Sequence, residues 1–236
     1  VSTQLFVNHP NVKKIMVDNT KKSKNRYLEI YKLSKKIKSF DMAISFRSSF
    51  TSKLLLFLSG IKQKFNYKKI KEEKHQVLKY NQFINNIFSS NYKANDLKLY
   101  FTPIKYDKPT LGINPGATYG SAKRWYPEEF AKVAISLSSK YDIILFGGPD
   151  EVDISKDIED KLIDNGIKKF KNLAGKTTIQ ELIENIAGLD LFITNDSGPM
   201  HIAAAYKIKT AAIFGPTKYK ETNAWNNPSE IIITKN

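Results

Sequence analysis

Seventeen residues, Leu189-Asp-Leu-Phe-Ile-Thr-Asn-Asp-Ser-Gly-Pro-Met-His-Ile-Ala-Ala-Ala205, constrain this chain more than any other stretch. Leu189, Leu191, Phe192 and Ile193 make a short apolar run, the length and composition of a strand covered on both faces of a parallel sheet. Thr194 to Gly198 break the run, and Pro199 suits the first turn of a helix, where its missing N–H costs nothing. Asp196 or Ser197 is expected to cap that helix. Its free N–H groups and partial positive charge would then form an anion site at the carboxyl edge of the strand, with His201 in reach. Taken alone, the segment reads first as a capped core helix with a satisfied histidine, and its surroundings have to decide otherwise.

Those surroundings repeat the pattern. Strands are expected at Thr110–Asn114, Asp142–Phe146 and Thr210–Phe214, with a short one at 169–173. Helices are expected from about Pro127, from about Glu151 to Ile163, and from Thr178, which has capping-box spacing to Glu181. This alternation predicts a Rossmann-like doubly wound domain with right-handed crossovers. Parallel strands share a direction, so the loops Gly116–Lys123, Gly147–Glu151, Asn195–His201 and Gly215–Thr217 must converge on one sheet edge, where a nucleotide binds.

The side chains in those loops suit a diphosphate. Gly116 and Gly120 let backbone approach an anion, Thr118 brings a hydroxyl and Lys123 a positive charge. Glu151, just past a glycine pair, is placed like the carboxylates that take ribose hydroxyls. Each also has a plain structural reading: Lys123 as a solvated lysine, Glu151 as a first-turn helix acid, Gly215–Thr217 as a turn. The spacing matches neither GxGxxG nor GxxxxGK[ST], so the dinucleotide fingerprint and the P-loop are unsupported.

The first half differs in charge. Of the net +15, residues 1–108 hold 23 Lys/Arg against seven Asp/Glu, whereas 109–236 hold 15 against 16. This shift marks a domain boundary near Pro103–Pro109 and points to an anionic partner for the basic half or to a solvated lysine-rich surface. Its patches alternate: a helix tail at 2–9, a strand at Lys14–Val17, a helix over Asn25–Lys38, a strand at Asp41–Ser45, and helices at Phe50–Leu58 and about Glu72–Phe88. This reads as a doubly wound sheet entered midway. Arg47-Ser48-Ser49 follows a strand end directly, where an arginine and hydroxyls could hold a phosphate or carboxylate; a surface turn is the competing reading. Disulfides and thiolate metal sites are excluded by the lack of cysteine, and no apolar run approaches the ~18–20 residues of a membrane span.

Five motifs carry a resemblance: Asn114-Pro-Gly-Ala-Thr-Tyr-Gly-Ser-Ala-Lys-Arg-Trp125, Phe146-Gly-Gly148, Asn172-Leu-Ala-Gly-Lys-Thr-Thr178, Thr194-Asn-Asp-Ser-Gly-Pro-Met-His201 and Phe214-Gly-Pro-Thr217. In order and spacing the chain resembles the ADP-heptose:lipopolysaccharide heptosyltransferases of glycosyltransferase family 9, most of all the heptosyltransferase II branch. The likeness is specific over residues 110–226 and diffuse before them. It implies an α/β GT-B fold of two facing Rossmann-like doubly wound domains, the first incomplete at its N-terminus. Residues 1–105 would be the basic acceptor-side domain and 106–236 the nucleotide-sugar donor domain, lacking its C-terminal end.

Carried over by position, the resemblance places Thr118, Tyr119 and Lys123 on the donor's phosphates and sugar, and Glu151 on the ribose. It places the backbone near Thr177 beside adenine, and Asp196, Ser197, Gly198 and His201 around the heptose and diphosphate. Lys123 would stabilise the leaving diphosphate, and Arg47 and Ser48 would meet the acceptor. The family's general base would precede Val1 and its last helices follow Asn236, so the chain by itself is expected to bind donor poorly and not to turn over.

The implied reaction is inverting transfer of heptose from ADP-heptose to a heptose of the lipopolysaccharide inner core, in the cytoplasm, peripherally at the anionic inner membrane. No cofactor and no metal are expected, since the histidines stand apart at 9, 75 and 201. Nucleic acid is not an expected partner. Heptosyltransferase I or a family member with another acceptor is the nearest alternative. From other classes, a basic polyanion-binding module would explain the charge but not the four loops, and a nicotinamide oxidoreductase lacks its glycine fingerprint.

Overall fold

The computed structural model describes residues 2–117 and 121–234. It divides into two compact units, Lys14–Ala94 and a larger one made of Val1–Lys13 with Asn95–Asn236.

In the smaller unit, α1 (Arg26–Lys36) leads to β1 (Met42–Ser45), α2 (Phe50–Leu58), β2 (Gln63–Asn66) and α3 (Gln76–Phe88). Its two strands pair in parallel, Met42 opposite Gln63 through Ser45 opposite Asn66. Side chains start the helices: Asn25 Oδ1 accepts from the Leu28 N–H, Ser49 Oγ from Ser52, and His75 Nδ1 from Val77. The chain's charge imbalance lies almost wholly in this unit, with 19 Lys/Arg against five Asp/Glu.

The expected strand over Lys14–Val17 does not form. Ile15 and Val17 are exposed, and among the described residues no neighbouring strand supplies the ladder hydrogen bonds that an extended segment needs. The reverse holds for β2, whose Gln-Lys-Phe-Asn sequence carries no strand pattern and owes its conformation to β1. The segment over 2–9 is a 3₁₀ helix at Ser2–Phe6, and α3 starts at Gln76, later than Glu72.

The larger unit holds β3 (Thr110–Asn114), α4 (Pro127–Leu137), β4 (Asp142–Leu145), α5 (Val152–Asp164), β5 (Phe170–Asn172), α6 (Ile179–Ala187), β6 (Leu191–Asn195), α7 (Gly198–Ala205), β7 (Lys209–Phe214), α8 (Tyr219–Thr222) and β8 (Glu230–Thr234). All six strands are parallel, in the order β5-β4-β3-β6-β7-β8. The last strand, built on Ile231–Ile233, extends the expected pattern by one.

Both sheet faces are covered, as the near-continuous apolar strands require. Ile143 and Leu145 point with Leu111 and Ile113 into a core shared with Phe130 and Ala134 of α4 and Ile158 and Leu162 of α5. Ile144, Phe146 and Phe192 face the other way, against Ile183 and Ile186 of α6 and Ile202 and Ala203 of α7. Side chains such as Phe130, Phe146 and Phe192 are fully buried, each removing apolar area from water at about 25 cal/mol per Å².

The segment that joins the halves belongs to this unit from Asn95 onward, upstream of the expected 105/106 boundary. It is fastened along α6 and α7: the Ile104 N–H donates to the Glu184 carbonyl at 2.9 Å, and Tyr106 Oη donates to Asn185 Oδ1 at 2.8 Å. Tyr206 Oη donates to the Phe101 carbonyl and accepts from its N–H, at 3.0 and 3.2 Å.

Candidate donor site

Strand order sets the place. Between β3 and β6 the direction of winding reverses, since β4 and β5 follow on one side and β7 and β8 on the other. Such a switch point opens a crevice beyond the carboxyl ends of the strands. The register puts Asn114 opposite Thr194 and Asn195 opposite Ile213, so the ends of β3, β6 and β7 lie level.

The apolar strands β3 and β6 end in buried polar groups, and each polar group is hydrogen-bonded. Asn114 is 2% exposed; its Nδ2 donates to the Gly116 carbonyl at 3.3 Å and to Ser197 Oγ at 3.2 Å. Asn195 is fully buried, with Nδ2 donating to the Pro115 carbonyl at 2.7 Å and Oδ1 accepting from the Trp125 N–H at 3.1 Å. Thr194 Oγ1 donates to the Asn195 carbonyl at 2.9 Å. Buried polar groups without partners would cost about 1–3 kcal/mol each, so this satisfied cluster holds one arrangement of the strand ends.

Above that layer stands a charged one. Lys123, at the end of a 3₁₀ turn over Ser121–Lys123, donates from Nζ to Asp196 Oδ2 at 2.7 Å. Thr217 Oγ1 donates to the same carboxylate oxygen at 3.0 Å. The lysine side chain is 25% exposed and the aspartate 7%, so the pair sits at the mouth of the crevice with its cation toward solvent. Gly215 lets the end of β7 come this close, because a Cβ there would lie 2.5 Å from the Ala122 carbonyl oxygen.

Glu151 opens α5 from beyond β4. Its Oε2 accepts from the Gly148 N–H at 2.8 Å, capping its own turn, and its carboxyl lies across Gly116 so closely that a Cβ on Gly116 would stand 2.0 Å from Cδ. Thr177 occupies the half-buried turn beyond β5, beside the capping box in which Thr178 Oγ1 accepts from the Glu181 N–H and Glu181 Oε2 accepts from the Thr178 N–H. The Thr178 N–H and hydroxyl hold the Glu181 carboxyl below its usual range. Among the described residues, Glu151, Thr177, Asp196, Ser197, Gly198, His201 and Lys123 thus all lie at the carboxyl edge of one sheet. Thr118 and Tyr119 lie outside the described residues.

Helix α7 begins as the proline predicted, with Pro199 in its first turn, but its capping differs from expectation. Ser197 occupies the N-cap position without a side-chain cap; its Oγ lies with Asn114 and Thr194 instead, and Asp196 is taken by Lys123 and Thr217. The space over Gly198 is open, with nothing within 4 Å of an added Cβ. An N-terminus left without a side-chain cap and facing open space is suited to an anion. His201 is the fourth residue of the helix and half-buried.

Asn114, Asn195 and Thr217 stand within the motifs and loops that the sequence marks, but the sequence alone assigns none of them a role of its own. The available signal was a polar residue ending an apolar strand, as Asn114 and Asn195 do.

In the smaller unit, Arg47 and Ser48 do follow the carboxyl end of β1, and both are exposed. Arg47 lines a 660 Å³ cleft with Lys21, Arg26, Ser49 and Thr51, and Ser48 is not part of its lining. Asp18 lies in the same cleft; burial pushes its carboxyl up, but the Thr20 hydroxyl and N–H and the charges of Arg26 and Arg47 outweigh that and hold it below the usual range.

The profile of glycosyltransferase family 9 (heptosyltransferase) matches residues 89–236. Lipooligosaccharide heptosyltransferase 2 of Campylobacter jejuni serotype O:2 is 45% identical, covering 99% of this chain and 74% of its own length. Among solved structures, Escherichia coli ADP-heptose lps heptosyltransferase II superposes with a TM-score of 0.74 at 22% identity, covering 88% of this chain and 71% of its own. E. coli heptosyltransferase WaaC with ADP gives 0.75 at 16%, covering 99% and 81%. These likenesses show a GT-B-like two-domain α/β fold.

Proposed function

The chain belongs to glycosyltransferase family 9, and we propose that it works there as heptosyltransferase II, an inverting enzyme that moves heptose from ADP-L-glycero-D-manno-heptose to a heptose of the lipopolysaccharide inner core. The observation that carries this reading is the 45% identity to a lipooligosaccharide heptosyltransferase 2 along 99% of the chain.

In this reading the unit built on β3–β8 takes the donor. The diphosphate lies over the uncapped start of α7, at Ser197 and Gly198, beside Lys123, with His201 and Asp196 toward the heptose; Thr118 and Tyr119 are further donor ligands by resemblance alone. Glu151 takes ribose hydroxyls and the backbone near Thr177 borders adenine. The acceptor hydroxyl gives its proton to a base and attacks the anomeric carbon from the face opposite ADP. The bond from that carbon to the diphosphate oxygen breaks, and its electron pair leaves with ADP. Charge therefore grows on the diphosphate, where Lys123 and the dipole of α7 stabilise it; such groups are commonly worth on the order of 10²–10³ in rate.

The basic unit over Lys14–Ala94 faces the acceptor, with Arg47 and Ser48 meeting its anionic sugars or phosphates. The same charge holds the enzyme peripherally on the anionic cytoplasmic face of the inner membrane, about 1 kcal/mol per lysine near the surface. No helix among the described residues is long and apolar enough to cross a membrane.

Calorimetric titration of the folded protein with ADP and ADP-heptose tests the donor site, with Lys123→Ala and an oligonucleotide alongside. ADP binding that Lys123→Ala weakens is expected. No ADP binding, with tight salt-sensitive oligonucleotide binding instead, would replace this reading by one of a polyanion-binding module.

A further inference from the structure

Asn195 closes the turn that presents Lys123. Its two hydrogen bonds end on Pro115 and Trp125, residues that stand on either side of Lys123 in sequence and flank the turn after β3. The orientation of the amide follows from its partners. A proline carbonyl can only accept and a backbone N–H can only donate, so Nδ2 must face Pro115 and Oδ1 must face Trp125. With the side chain fully buried at the end of β6, neither bond competes with water.

The next residue, Asp196, holds Lys123 Nζ at 2.7 Å. Two adjacent residues of one strand end therefore fix the backbone that carries the lysine and the lysine's own head. Arg124 adds a stitch within the turn, donating from Nε and Nη2 to the Ala117 carbonyl at 3.3 and 3.2 Å.

We propose that Asn195 is a positioning residue for donor binding: its side-chain amide clasps both ends of the turn after β3 and so sets Lys123 where the diphosphate lies. This rests on the reading of Lys123 as a diphosphate ligand. Asn195 is fully buried, and its amide is bonded to two backbone groups. Its effect on ADP is transmitted through the turn.

The chemistry of the clasp supplies a test that a merely structural role would not pass. A neutral carboxylic acid is nearly the same shape as the amide and can also donate to Pro115 while accepting from Trp125. A carboxylate cannot donate, and would set a buried charge against the Pro115 carbonyl. Burial and that carbonyl both disfavour the charged form, so the introduced carboxyl titrates above the ordinary range. ADP affinity is compared with the unchanged protein at pH 8 and pH 5, at a temperature where circular dichroism shows all proteins folded. Asn195→Asp is expected to bind ADP about tenfold more weakly at pH 8 and to approach the unchanged protein at pH 5. Asn195→Ser, too short to reach both partners, is expected to bind more weakly at both pH values.

In the double variant with Lys123→Ala, Asn195→Ser should cost no further affinity, because the clasp acts through the lysine. Lys123→Ala that leaves ADP affinity unchanged removes the donor-site reading itself. Lys123→Ala that weakens binding, with Asn195→Asp and Asn195→Ser both within twofold of the unchanged protein at pH 8, overturns the clasp alone. Additive losses in the double variant overturn it as well.

Discussion

Removing the Lys123 side chain should damage the protein in two separable ways. In Lys123→Ala the Asp196 carboxylate, 7% exposed, keeps the Thr217 hydroxyl as its one side-chain donor among the described residues. Breaking a fully buried pair from one side costs about 3–5 kcal/mol, because the remaining charge is stranded. Here Lys123 was 25% exposed, so water can enter where its head stood, and the cost falls to about 2 kcal/mol. At about 2–4 °C per kcal/mol for a protein of this size, the melting temperature drops by about 4–8 °C. Adding Asp196→Asn removes the stranded charge and keeps an acceptor for Thr217, so the double variant should melt within about 2 °C of the unchanged protein. Binding behaves differently. The lost charge-assisted contact to the diphosphate, about 1.5–3 kcal/mol, weakens ADP by roughly 10- to 100-fold, and the double variant does not regain it. Differential scanning calorimetry and ADP titration on the same samples separate the two effects. A double variant that melts below Lys123→Ala would refute the stranded-charge argument, and a double variant that recovers ADP binding would refute the direct role of the lysine.

Three further outcomes follow from the geometry. Gly116→Ala drives a Cβ into the Glu151 carboxyl, 2.0 Å from Cδ, so both it and Glu151→Ala should lose any preference for ADP over its 2′-deoxy form; a preference retained in Gly116→Ala places the ribose elsewhere. Burial pushes the Glu230 carboxyl up, only partly opposed by the Ala224 N–H at 3.0 Å, so above its ordinary value of 4.5 the folded state holds the proton longer and stability falls as pH rises. Glu230→Gln should therefore melt higher at pH 7 and lose that advantage near pH 4, and equal melting at pH 7 would count against it. Burial also raises Tyr106 to about 12, so its contribution to stability is whole below about 10 and lost as pH rises toward 12. Ultraviolet titration should show a late tyrosine that Tyr106→Phe removes, and an unchanged curve would show that another residue accounts for it.

What could be read from the sequence was whatever the chain decides locally. The strands β3, β4, β6 and β7 are apolar and end in polar or glycine-bearing turns, Pro127 and Pro199 stand in first helical turns, and Thr178 with Glu181 caps α6. The convergence of loops on one edge followed from strand direction alone. What escaped was decided by partners distant in sequence. The Lys123–Asp196 and Asn195–Trp125 contacts join residues 73 and 70 positions apart, and nothing in either segment announces the other. Local preference misled in both directions at the smaller unit: Ile15 and Val17 favour an extended chain that finds no neighbour, while the polar β2 is extended because β1 is beside it. Position offers Asp196 or Ser197 as the cap of α7, but the Ser197 hydroxyl has nearer partners in Asn114 and Thr194, and Asp196 is taken by Lys123 and Thr217.

The strand order also dictates when the crevice can exist during synthesis. On one side Leu111 pairs with Ile143, 32 residues on; on the other it pairs with Leu191, 80 residues on. The extra closure entropy is small, about 0.8 kcal/mol. The timing difference is larger, because at roughly 5–20 residues per second the ribosome takes several seconds to deliver those 48 additional residues. A nascent chain can thus complete β3, β4 and β5 and pack α4 and α5 while Asn195, Asp196 and Thr217 are still unmade. Throughout that interval the turn bearing Lys123 lacks the Asn195 amide and the Asp196 carboxylate that hold it in the finished sheet, so the proposed donor site is completed only once β6 and β7 have joined.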